Sequence, residues 1–246
     1  MTGRLAAAGA GYGPTRLELQ RIATHVVARA RHAATGRFGL RVTPGGFGTP
    51  AFGDATEVVR VRRDALVREV APPGGATTTA LPLAGATLQQ LAVAAGVTLD
   101  PMFSVGGDTP DLGEIGQPVA LDPDAVAVVL DWFVFGGEVL DRVVTGLDAS
   151  ARPSVVQLWP EHFDLGVDVG VGTERRANLG ASAGDGPDGA PYLYVGPWGE
   201  ERPGDPGYWN ASFGAVLAHA DLVAAADPVE AGVAFLRRGI ELLVSG

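Results

Sequence analysis

The segment Glu161-His162-Phe163-Asp164 sets an imidazole between carboxylates, the residue types that proton transfer uses. On an extended strand His162 and Asp164 occupy alternate positions of one face, with backbones roughly 7 Å apart. A carboxylate beside an imidazole raises its pKa and fixes its tautomer, as a general base or metal ligand requires. Glu161 is the other candidate for that orienting role. Two ligands do not make a metal centre. Zinc or iron needs a third, and the chain's other histidines are His25, His32 and His219. The competing reading is that His162 braces the start of a strand behind Trp159-Pro160.

The residues around this cluster alternate apolar and polar with period two, the pattern of half-buried strands. Phe163, Leu165, Val167 and Val169 point one way, and His162, Asp164 and Asp168 the other. Asn178 and Ser182 share a face of the next run, and Tyr192, Tyr194 and Trp198 a face of the third. If the runs pair in order, one sheet face collects these polar and aromatic groups with Trp159 at its start. Such a face could bind a small molecule, with Tyr192, Tyr194 and Trp198 as an aromatic wall. Packing under a helix is the plainer use of the same rings.

Other patterns offer less. Arg21, His25, Arg29 and His32 recur at helical spacing and could hold an anion, or form a salt-bridged face. The Gly-rich loop from Thr43 to Gly53 matches neither the Walker loop nor G-x-G-x-x-G. No Gly-x-Ser-x-Gly elbow is present.

Composition removes several chemistries. All 18 basic residues are Arg, and cysteine is absent. Without Cys there is no thiol nucleophile, disulfide or thiolate zinc site, and without Lys no Schiff base or phosphate-loop lysine. The Arg, Ala and Gly bias is what a GC-rich bacterial genome produces. Charged residues are only 19% and apolar ones 46%, so the chain is globular rather than disordered. A net charge of −10 makes nucleic acid and anionic membrane poor partners. Residues 1–68 hold 11 Arg against four acids, which suggests that a basic N-terminal part docks on an acidic body. No apolar run reaches the ~20 residues a bilayer span needs, and the N-terminus lacks a signal-peptide pattern, so a cytoplasmic protein is expected.

The elements follow from local signals. Thr15 with Glu18 reads as a capping box opening a helix through Leu19, Ile22, Val26 and Ala30, stopped by Gly36. A β-meander runs from Glu57 to Leu83, and Thr87–Ala95 is a short helix. Residues 101–119 are rich in Gly, Pro and Asp and read as a linker within a single domain over 1–246. Asp122-Pro123 and Asp227-Pro228 each start a helix. The first reaches Leu147, with a kink or close contact at Gly136-Gly137. Strands are expected at 154–160, 162–170, 175–182, 191–198 and 213–218.

Trp159 through Val167, Tyr192-Leu193-Tyr194 and Asp227-Pro228 onward resemble an uncharacterised bacterial domain-of-unknown-function family. Its members carry a Trp-x-x-Phe-Asp-Leu-Ala-Val strand, a Tyr-x-Tyr-Pro-like strand and an Asp-Pro-started final helix. This chain inserts Pro160-Glu161-His162 before Phe163. The resemblance implies an architecture and no activity or cofactor.

Together these signals predict an α+β fold. The expected form is one mainly antiparallel sheet of about eight or nine strands, curved or an open barrel, with three long helices packed against it. Three functions remain open. The first is a small-molecule-binding protein with its pocket on the 162–198 face. The second is an enzyme using His162 with Asp164 or Glu161. The third is a structural or interaction domain, such as a homodimer joined through its tryptophans.

Overall fold

The computed structural model describes residues 5–172, 174–185 and 189–246, and in it the strands form two antiparallel sheets of five rather than one larger sheet. The first contains β1 (Arg41–Thr43), β2 (Gly46–Gly48), β3 (Glu57–Arg62), β4 (Ala65–Val70) and β5 (Thr77–Pro82), in that order. The second contains β6 (Gln157–Trp159), β7 (Asp164–Gly170), β8 (Arg176–Ser182), β9 (Tyr192–Pro197) and β10 (Ala215–Ala218), ordered β10-β9-β8-β7-β6. Neither closes into a barrel. The α+β class holds, and the expected sheet of eight or nine strands does not. Each sheet is a meander in which neighbours in sequence pair, the default for short connections. Period-two patterning reveals strands but does not say where one sheet ends and another begins.

The helices also depart from the three long ones expected. Tyr12–Ile22 (α1) and Arg29–Thr35 (α2) are joined by a π-helical segment, Ala23–Ala28. Short helices α3 (Leu88–Ala94) and α5 (His219–Ala224) accompany the longer α4 (Pro123–Thr145) and α6 (Pro228–Ser245). Among the described residues no helix is long and apolar enough to cross a membrane.

The chain divides into two compact units. The N-terminal unit is Ala8–Asp131 with Leu158–Phe163, and the C-terminal unit is residues 5–7, Trp132–Gln157 and Asp164–Gly246. The chain passes between them inside α4 and again on either side of 158–163. Residues 101–119 lie within the N-terminal unit and are irregular.

In the N-terminal unit, Leu19, Ile22 and Val26 are fully buried, as their helical spacing predicts, and the π segment packs on β2, β3 and α3. Thr15 does not open the helix. α1 begins at Tyr12, and the buried Thr15 hydroxyl instead accepts the backbone N–H of Asp122 at 3.0 Å. Asp122 in turn caps α4, its carboxylate accepting from the N–H groups of Asp124 and Ala125. Thr87 and Gln90 form a reciprocal capping box on α3. Gly36 ends α2 in the left-handed conformation, at φ 70°.

In the C-terminal unit, Leu165, Val167, Val169, Leu179, Leu193 and Val195 form the buried face of the second sheet. α6 packs on β9 and β10, where Gly232 lets it approach Leu193. α4 continues unbroken through Gly136, whose missing side chain admits Ala181 and Leu165. Asp227 caps α6 through the N–H groups of Val229 and Glu230.

Candidate functional site

The strand register of the second sheet places the polar residues in rows. Asp164, Ser182 and Tyr192 are directly opposed across β7, β8 and β9. Gly166, Gly180 and Tyr194 form the next row, and Asp168, Asn178 and Gly196 the third. All lie on the face opposite the buried Leu165, Leu179 and Val195, because side chains alternate along a strand.

At one end of this face two tyrosines hold two carboxylates. Tyr194 donates its phenolic hydrogen to Asp164 Oδ2 at 2.5 Å, and Tyr192 donates to Asp185 Oδ2 at 2.5 Å. The rings meet edge-on with centroids 6.2 Å apart, and Phe213 lies edge-on to Tyr194 at 6.3 Å. Burial, then the adjacent Asp164 carboxylate, push the Tyr194 hydroxyl well above its ordinary pKa. Tyr192 is pushed up by burial and by its bond to Asp185. Both hydroxyls therefore stay protonated near neutrality. They act as donors, not as bases.

The other end is open. Trp198 follows β9 and is 66% exposed, yet it is fixed at two points. Its backbone N–H donates to the Arg176 carbonyl at 3.0 Å, and its indole N–H donates to Asn178 Oδ1 at 3.2 Å. Beside it is a cavity of about 510 Å³ with Val171, Pro197 and Leu243 as apolar walls. Arg175 and Arg176 line the same cavity, with Glu174, Glu200 and Glu201. Arg176 is committed to Asp168 and to the Arg152 carbonyl. Among the described residues Arg175 pairs with Glu201, at 3.4 Å, at the solvent-facing rim. This end combines a flat platform, an apolar floor and an exchangeable ion pair.

Trp159, Glu161 and His162 sit in the N-terminal unit, where the expected strand over 162–170 is interrupted. Residues 160–163 form a turn closed by the Phe163 N–H on the Trp159 carbonyl, and Phe163 takes the left-handed conformation at φ 52°. That conformation is costly for an aromatic residue. Here it is offset by burying the ring edge-on against Phe47, centroids 5.5 Å apart. His162 and Asp164 are thus not alternate members of one strand. His162 Nδ1 lies 3.1 Å from Asp108 Oδ2, and both side chains are exposed. Glu161 is buried, and its carbonyl accepts from the Gln20 amide at 2.6 Å. Trp159 packs against Phe38 at 6.0 Å.

The helical face of Arg21, His25, Arg29 and His32 secures residues 100–114. Arg21 donates to the Glu114 carbonyl, and His25 Nε2 bonds the Pro110 carbonyl at 2.7 Å. Phe103 lies under the Arg29 guanidinium and against both imidazoles. Among the described residues no group of three or more His, Asp or Glu is arranged to hold a metal ion.

The structure brings together Asp164, Tyr192 and Tyr194 at one end of a face and Asn178 with Trp198 at the other. Sequence reasoning missed Arg175, Asp185, Phe213 and Asp108. Arg175 and Asp185 lie in Gly-rich connections whose alternation carries no face signal. Compared with protein-family models, curated proteins and solved structures, the chain matches none.

Proposed function

We propose that this chain is a small-molecule-binding protein whose pocket is the cavity at the end of the C-terminal sheet, beside Trp198. The observation that carries this reading is Trp198 itself. A large indole left mostly in water, yet held by Asn178 and the Arg176 carbonyl, is pre-positioned at a cavity of about 510 Å³. Ligand pockets fall in this size range, with apolar walls and a few placed polar groups. Pre-positioning spares a ligand the entropy of ordering its platform. Thermal-shift measurements against a panel of small organic molecules test this. Ligands that raise the melting temperature of the natural chain should fail to do so with Trp198→Ala. Equal shifts in both proteins would place binding elsewhere.

A second reading, an enzyme using His162 as base, is favoured by one contact. Asp108 orients the ring through Nδ1 and leaves Nε2 to take the proton. His162→Gln should then remove any turnover found with a substrate panel while leaving unfolding unchanged. Turnover that survives in His162→Gln would end this reading.

A further inference from the structure

We infer that the Trp198 cavity takes a zwitterion bearing a flat apolar group, of the aromatic α-amino-acid kind, an inference that rests on the cavity being the ligand site. Charge at the cavity selects the class. Arg176 is held by Asp168 and the Arg152 carbonyl, so Arg175 is the guanidinium available to an incoming anion. Its partner, Glu201, is 3.4 Å away with a side chain 76% exposed, a weak and solvent-screened pair.

A simple carboxylate that took Arg175 would leave Glu201 unpaired beside Glu174 and Glu200. A dianion such as a phosphate monoester would meet those carboxylates with twice the repulsion. A simple amine could pair with Glu201 but would compete with Arg175 for it. A zwitterion inserts into the existing ion pair, its carboxylate on Arg175 and its ammonium on Glu201. One weak pair becomes two and the net charge of the cavity is unchanged. The flat group then stacks on Trp198 against Pro197 and Leu243.

The test follows the fluorescence of the full chain on titration with L-phenylalanine, 3-phenylpropionate and 2-phenylethylamine. These probes share the ring and differ in which charged groups they carry. L-phenylalanine should bind the natural chain roughly tenfold more tightly than either singly charged analogue, the worth of one charge-assisted contact. Glu201→Gln should bring 3-phenylpropionate level with L-phenylalanine, and Arg175→Gln should do the same for 2-phenylethylamine. Glu201 is exposed and Arg175 half-buried at the cavity rim, neither is in the core, and these variants should fold. If the three probes bind alike, or neither variant changes their order, the zwitterion class is wrong. If none binds while another molecule binds in a Trp198-dependent way, the class fails and the site stands. If no molecule of any class binds in a Trp198-dependent way, the site and the inference fall together.

Discussion

Tyr194 holds Asp164 by a 2.5 Å hydrogen bond from a ring seated over Gly180, the residue directly opposite it on β8. The glycine makes the arrangement possible, since a side chain there would collide with the phenol ring. An aromatic residue covering a cross-strand glycine restores the packing that the glycine lacks. The pair therefore fixes one end of the polar face and leaves the Trp198 end open.

Tyr194→Phe keeps the ring and removes the donor to Asp164. Denaturant unfolding should show a loss of about 1–3 kcal/mol, the cost of depriving a buried acceptor of a bond. Gly180→Val should destabilise more, because it displaces the ring itself. A Gly180→Val protein as stable as the natural chain would contradict this packing.

Gly136 is the contact point between α4 and the second sheet. Gly136→Val should cost about 1–3 kcal/mol through overpacking against Ala181 and Leu165. Gly116→Ala, where a side chain would meet open space, serves as the control and should change stability little. Calorimetry of the two variants separates a close approach from a general effect of losing glycine.

His25 makes stability depend on pH. Burial, then its position beside Arg21, holds its pKa below the ordinary 6.5, against the opposing pull of the Pro110 carbonyl and Asp111. A folded pKa below the unfolded one means that the unfolded chain binds more protons in acid. The contribution of His25 is therefore complete above about pH 6.5 and is lost as pH falls below it. His219, also lowered by burial, acts in the same direction. His25→Gln, which can still donate to the Pro110 carbonyl, should flatten the acid side of the stability profile. An unchanged slope would show that His25 is not a source of it.

Much of this was legible before the structure. The caps at Asp122 and Asp227 are local hydrogen bonds between near neighbours, and their residue types announce them. The face shared by Asp164, Asn178, Ser182, Tyr192 and Tyr194 follows from alternation, and the register bears it out. What failed depended on distant partners. Thr15 resembles a cap but serves Asp122. Phe163 fits a strand's apolar period, yet its ring reaches Phe47 only from a left-handed turn. His162 finds Asp108, not Asp164 or Glu161, because the turn at 160–163 interrupts the strand that would have set them in series. The division into two sheets has no local signal at all.

Native mass spectrometry of the natural chain and of Trp198→Ala, both purified gently, asks whether the cavity beside Trp198 holds a small molecule, as proposed. Trp198 is exposed, and its removal should change stability by no more than about 0.5 kcal/mol. A bound small mass on the natural chain that is missing from Trp198→Ala is the predicted result. The same bound mass on both proteins, or none on either, would contradict it.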